Sequence, residues 1–190
     1  SNNVAIGVEA MRDVKENGNT ADSNIALGSL AMKGGTLGGD FIGNIAIGDR
    51  AMDATDTNAQ TGTIAIGHHS LTALTSGTEN TAVGYTSGDT ITTGTKNTIV
   101  GYNTDVSDAG AINRTGLGNG ITLGANNSVV LGNSDVTAVY MGQDSGARVF
   151  AERLDLKRAA DPATLRLSTF DVAADTASTI YLETSNHDTA

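Results

Sequence analysis

The sequence predicts an all-β fold, a parallel β-roll or solenoid, and three observations predict it. A short motif returns along most of the chain at nearly regular spacing. Within each copy the apolar residues alternate with small ones, and glycine is abundant while aromatic residues are scarce. Of 190 residues, 24 are glycine and one is proline, aromatics are 4%, and cysteine and tryptophan are absent. That composition excludes a core filled by large rings, a disulfide framework and thiolate metal sites. Acidic residues outnumber basic ones 21 to 11, a formal charge of -10. No basic stripe interrupts them, so nucleic acid and anionic membranes are not expected partners. No window approaches the ~20 consecutive apolar residues that cross a bilayer as a helix.

The motif is Asn-x-Ala-aliphatic-Gly. Its copies are Asn3-Val4-Ala5-Ile6-Gly7, Asn24-Ile25-Ala26-Leu27-Gly28, Asn44-Ile45-Ala46-Ile47-Gly48, Thr63-Ile64-Ala65-Ile66-Gly67, Asn80-Thr81-Ala82-Val83-Gly84 and Asn97-Thr98-Ile99-Val100-Gly101. Degenerate copies end at Gly118, Gly124, Gly132 and Gly142. Leaving out Gly124, the terminal glycines lie 21, 20, 19, 17, 17, 17, 14 and 10 residues apart. A period near 20 is that of a solenoid whose coils stack on their neighbours.

Alternation with period two makes each copy a short strand. Nine coils spaced about 4.8 Å apart would give a rod of roughly 40 Å, tapering as the loops between copies shorten. The branched residues are expected to stack inside, and the asparagines Asn3, Asn24, Asn44, Asn80 and Asn97 to form a hydrogen-bonded ladder at one corner. The motif glycines and alanines, such as Ala26 and Gly28, read as a second face that another backbone can approach. Such a coil holds only a thin core, worth a few kcal/mol against ordering entropy of similar size. A homo-oligomer that buries this second face and the remaining Met and Leu side chains is therefore expected.

After the glycine the copies continue as Ala10-Met11, Ala31-Met32, Ala51-Met52 and Ser70-Leu71. The longest excursions, Met32 to Gly43 and Asp53 to Gly62, are the places to expect outward recognition, with Lys33, Asp40 and Phe41 as candidate receptor contacts. Tyr85 and Tyr102 each follow a motif glycine and should stack one coil apart. They serve either as packing between coils or as a platform for sugars, and join the candidate contacts on the second reading.

No catalytic, metal or cofactor site emerges from the motifs. His68 and His69 are adjacent; as strand neighbours they would point to opposite faces and could not share one ion within a chain, although a ring of three copies could hold one. Gly116-Leu117-Gly118-Asn119-Gly120 lacks the lysine and following helix of a phosphate cradle and reads as a tight corner. Asp53, Asp56, Asp105 and Asp108 read as solvated turn acids, with no apolar pocket implied that would raise a carboxyl pKa.

Composition shifts near Gly142. Residues 143–190 hold 13 charged residues and the single proline, Pro162, and keep a spacing of two at Leu154 and Leu156, Leu165 and Leu167, and Ile180 and Leu182. The expected organisation is a repeat region, 1–142, and a short β-rich C-terminal segment, 143–190.

Over residues 1 to 142 the run of Asn-x-Ala-Ile-Gly followed by x-x-Ala/Ser resembles the head repeats of trimeric autotransporter adhesins and related repeats in phage tail fibres. The resemblance implies a left-handed roll, three copies of which join, intertwined or side by side, into a homotrimer. The stretch Asn127-Ser128-Val129-Val130-Leu131-Gly132-Asn133-Ser134, followed by Ala160-Asp161-Pro162-Ala163-Thr164-Leu165-Arg166-Leu167, is similar to tail-fibre proteins, and no heptad stalk of an adhesin follows. It implies a structural fibre or attachment segment on a virion tail, without enzymatic activity or cofactor. Its partners would be other tail or fibre proteins and a polysaccharide or protein receptor on a host cell. The alternatives are the head of a bacterial surface adhesin and a polysaccharide depolymerase. Ice binding would need a sustained Thr-x-Thr array that is absent.

Overall fold

The computed structural model describes residues 2–14, 18–35, 38–54 and 58–139, all in the first of the two units, Ser1–Tyr140, into which the chain divides. The C-terminal segment 143–190 and the last motif copy, at Tyr140-Met141-Gly142, lie outside the described residues.

The described residues form a parallel β-solenoid without helix. Its strands are β1 (Val4–Ile6), β2 (Ala21–Asp22), β3 (Ile25–Leu27), β4 (Phe41–Ile42), β5 (Ile45–Ile47), β6 (Gln60–Thr61), β7 (Ile64–Ile66), β8 (Thr81–Val83), β9 (Thr98–Val100), β10 (Asp105–Val106), β11 (Arg114–Leu117), β12 (Thr122–Leu123) and β13 (Ser128–Leu131). Eight of them, β1-β3-β5-β7-β8-β9-β11-β13, stack as one parallel sheet, and each is a motif copy. The shorter sheets β2-β4-β6 and β10-β12 form a second wall. The eight strands enclose about seven turns, fewer than the nine that glycine counting suggests. The ninth counted glycine, Gly142, lies outside the described residues, and eight strands bound seven turns; Ile121 to Gly124, left out of that count, forms β12 in the second wall of the coil that begins at Arg114.

Register is fixed without slippage. Ala5, Ala26, Ala46, Ala65, Ala82, Ile99, Gly116 and Val130 are successive partners along the main sheet. From Ala26 to Gly116 this row is buried, and the branched residues on either side of it are not. The expected orientation of the motif is therefore reversed: alanine points into the roll, and Ile25, Leu27, Ile45, Ile47, Ile64 and Ile66 point away from it. The physical reason is width. The opposite wall and the turn after each glycine already send Met32, Met52, Leu71, Leu74, Ile91 and Phe41 into the interior, each at most 1% exposed, and only a methyl fits against them. The Met and Leu side chains expected to be left over for an oligomer are thus the core itself.

The motif glycine has its own cause. Gly7, Gly28, Gly48, Gly67, Gly84, Gly101 and Gly118 all have φ between 133° and 146°, and a Cβ at Gly48 would stand 2.5 Å from the carbonyl oxygen of Gly67. The backbone that approaches each motif glycine is that of the next coil. Beyond each glycine the chain turns through left-handed residues, as at Leu30 and Met32, Arg50 and Met52, and His69 and Leu71. Each left-handed residue costs about 1 kcal/mol or more. Hydrogen bonds between coils offset that strain, with Leu30 N donating to Val8 O at 2.8 Å, Arg50 N to Ser29 O at 2.9 Å and His69 N to Asp49 O at 3.0 Å.

The asparagine ladder forms as the sequence predicts. Asn44 donates from its backbone N and its Nδ2 to Asn24 Oδ1, at 2.9 and 3.1 Å, and Asn24 does the same to Asn3 Oδ1 at 2.9 and 3.0 Å. Each side-chain amide also closes its own coil, Asn24 Nδ2 on Phe41 O at 2.7 Å and Asn44 Nδ2 on Gln60 O at 2.9 Å. The same pattern links Asn80, Asn97 and the backbone of Arg114. It breaks at Thr63, whose Oγ1 is buried without a hydrogen-bond partner, as is Oε1 of nearby Gln60.

Candidate functional site

Three features of the roll face outward with enough chemistry to matter. The first is an apolar flank. Because alanine takes the interior, the residues on both sides of it form two parallel rows on the outer face of the main sheet: Val4, Ile25, Ile45, Ile64, Thr81, Thr98, Thr115, Val129, and Ile6, Leu27, Ile47, Ile66, Val83, Val100, Leu117, Leu131. The rows are aliphatic on both sides from β1 to β7, then become threonine on one side from β8 to β11. Ile6, Val129 and Leu131 are 65%, 66% and 44% exposed, and the central members are partly covered by their neighbours above and below.

The second is a column of polar side chains along one edge, three of them rings, in the position that follows the motif glycine. Asp49, His68, Tyr85 and Tyr102 occupy it in successive coils. The His68 and Tyr85 rings stack with centroids 4.9 Å apart and planes 3° from parallel, and Tyr85 and Tyr102 stack at 5.4 Å and 14°. The coil repeat brings the rings to this spacing. Tyr85 and Tyr102 do meet one coil apart. Both faces of Tyr85 are covered by neighbouring rings, so it offers solvent its edge and hydroxyl rather than a face on which a sugar could lie.

His68 and His69 behave differently from strand neighbours. They sit in the turn after Gly67, His69 is left-handed at φ 56°, and the two rings stack at 4.2 Å and 25°. The left-handed residue turns the second ring to the same side as the first, which overturns the expectation that they face apart. Asp49 completes the group, its Oδ2 3.6 Å from His68 Nε2.

The third is electrostatic. Asp89 and Asp105 face each other from successive coils, and Asp89 is pushed up to about 6, first by burial and then by sharing a proton with Asp105. An acid pair with a raised carboxyl pKa was not expected from the sequence, since the two lie 16 residues apart and meet only through the coil repeat. Asp105 also accepts from Thr90 N at 3.2 Å. Nearby, Arg114 takes the place of an asparagine. Its guanidinium is buried and donates to Asn126 Oδ1 at 2.8 Å, Leu123 O at 2.6 Å, Ser107 Oγ at 3.2 Å and the Asp108 carboxylate. That contact holds the Asp108 carboxyl below the usual range. Asp105 and Asp108 are thus engaged rather than simply solvated. Asp53 likewise accepts from Thr72 Oγ1 at 2.6 Å, and Asp56 lies outside the described residues.

The proposed outward contacts separate. Phe41 is 1% exposed and packs inside the roll as part of β4, so it is core rather than a contact; its pairing in a wall strand reserves an inward position for it. Asp40 is exposed and accepts from Thr20 N at 3.0 Å, and Lys33 is partly exposed. Gly116 and Leu117 end strand β11, and the corner begins at Gly118, so the glycine run is half strand and half turn. Comparison with family models, curated proteins and solved structures yields no match to this chain.

Proposed function

We propose that the chain is a structural segment of a trimeric fibre, of the kind that carries a phage tail fibre or similar appendage to its host receptor. The observation that carries this reading is the outward aliphatic flank of the main sheet. A solenoid whose motif spends its largest branched residues on the outside, over eight stacked strands, has a surface matched to another flat, repetitive surface of the same kind. A second and third copy of this chain supply it, and a common axis parallel to the coils aligns the rows along the whole length. The described part draws its rigidity from inter-coil hydrogen bonds and stacked side chains, which suits a passive, extended element.

Sedimentation of the intact chain tests the reading. The expected result is a trimer, with Ile47→Asp and Ile66→Asp together shifting it to slower-sedimenting monomer while the outward position of both residues leaves the coil interior intact. A monomeric wild type with a cooperative unfolding transition would overturn it. Immunogold labelling of virions and of cell surfaces then separates a tail fibre from an adhesin head.

A further inference from the structure

We propose that Asp49, His68 and His69 form a divalent transition-metal site within a single chain. Each residue offers one ligand atom, and all three atoms lie within 4.8 Å of one another. Donors around a tetrahedral ion with bonds of about 2.0–2.1 Å stand ~3.4 Å apart. His68 is exposed and Asp49 and His69 are partly exposed, and because the two rings lie nearly parallel in a stack, a turn of His69 about its side-chain bonds is what aims both in-plane lone pairs at one point.

The scaffold holds the three in place. Asp49 and His68 occupy the same position in adjacent coils, so the coil spacing sets their separation. His69 N donates to Asp49 O at 3.0 Å, Gly67 N to Ile47 O at 2.7 Å, and Thr86 N to His68 O at 2.9 Å, which clamps the turn from both sides. The left-handed conformation of His69 brings the second imidazole alongside the first, and Tyr85 covers the far face of His68. The site opens to solvent on the remaining side, leaving further coordination positions for water.

Two imidazoles and one carboxylate select the ion. Nitrogen donors favour Zn²⁺, Ni²⁺ or Cu²⁺, whereas Ca²⁺ and Mg²⁺ require several oxygens that are not assembled here. The ion would pin the turn of one coil to that of the preceding coil, at the border where the asparagine ladder is interrupted by Thr63. This goes beyond a fibre role and does not depend on it.

Calorimetric titration of the intact chain with Zn²⁺ and Ni²⁺ at about pH 7.5 tests the site. One ion per chain is expected, with His68 and His69 imidazole resonances shifting together. His68→Asn, His69→Asn and Asp49→Asn should each weaken binding about tenfold or more, and His187→Asn should leave it unchanged. Asparagine at position 69 tolerates the left-handed backbone, and unaltered thermal unfolding of each metal-free variant checks that the roll is intact. Stoichiometry of one ion per three chains, tighter binding of Ca²⁺ or Mg²⁺, or zinc affinity unaffected by these substitutions would overturn the proposal.

Discussion

The coils on either side of Thr63 solve the same packing problem with different residues. From Asn3 to Gly62 each turn uses 19 to 21 residues, an alanine on the strand and a methionine or phenylalanine from elsewhere in the turn. From Asn80 to Asn127 each uses 17 or 14, and the volumes are redistributed. Ile99 replaces the strand alanine, Gly88 replaces the methionine below it, and Gly116 makes room for Leu123. A Cβ on Gly88 would stand 3.0 Å from Leu71 Cδ2 and 3.4 Å from Ile99 Cδ1, and one on Gly116 would stand 2.9 Å from Leu123 Cδ1. Asn80 and Asn97 keep the asparagine corner, and only at the end of that ladder does the Arg114 guanidinium take over from an amide. What persists from coil to coil is the backbone hydrogen bonding and a closely filled interior, while the residue that fills each part of it moves around the coil.

Removing the corner group separates the two halves most strongly. Arg114→Ala leaves the acceptors Leu123 O and Asn126 Oδ1 without their donor and opens a space the size of the side chain, and is expected to lower stability by about 2–5 kcal/mol. Asn24→Ala breaks neutral hydrogen bonds only and should cost about 1–3 kcal/mol. Chemical denaturation of both variants measures the contrast, and equal losses would mean that the arginine is merely a larger asparagine.

Exchanging volumes comes next. Gly116→Ala presses on Leu123 and should destabilise by about 1–3 kcal/mol. Combining it with Leu123→Val should lose less than the sum of the two single changes, because the second makes the room that the first requires. An additive pair would show that the two positions do not share one space.

Repairing the border between the halves is a gain of smaller size. Thr63→Asn extends the asparagine ladder to Asn80 and removes a buried hydroxyl without a partner, and should raise stability by about 1 kcal/mol. A neutral or negative effect would mean that Gln60, rather than the ladder, governs that corner.

The smallest effect is the pH response of the later coils. The folded-state pKa of Asp89, about 6, stands above its ordinary 3.8, so the folded chain holds that proton more tightly than the unfolded one. The contribution is complete below about pH 4 and is lost as pH rises through about 6. Solvent access to the pair keeps it small. Asp89→Asn should flatten the change in melting temperature between pH 4 and 7, and an unchanged slope would assign the response to other carboxylates.

The register of the motif shows how far the sequence could be read. The stacking of coils, the asparagine ladder and the strand period follow directly from repeated residues. Hydrophobicity alone then places Ile25 and Ile45 inside, and the structure places them outside. A signal against that choice was present: the same column continues as Thr81, Thr98 and Thr115, so it tolerates a polar residue, whereas the adjacent alanine column changes only to Ile99, Gly116 and Val130. The Asp49–His68–His69 group was half legible. The two histidines are adjacent in the chain, but their common side depends on the left-handed φ of His69, and Asp49 joins them only because coils of 19 residues place it alongside.

By itself the sequence determined that this chain winds into stacked parallel strands, since recurrence of glycine and asparagine at a fixed place in each copy admits a coil repeat and little else. The tertiary structure decided which side of each strand is the interior and which distant acids and imidazoles meet. Both depend on the width of the roll and the direction in which each turn aims its side chains, quantities set by the opposite wall and by backbone φ rather than by the residues of the strand itself.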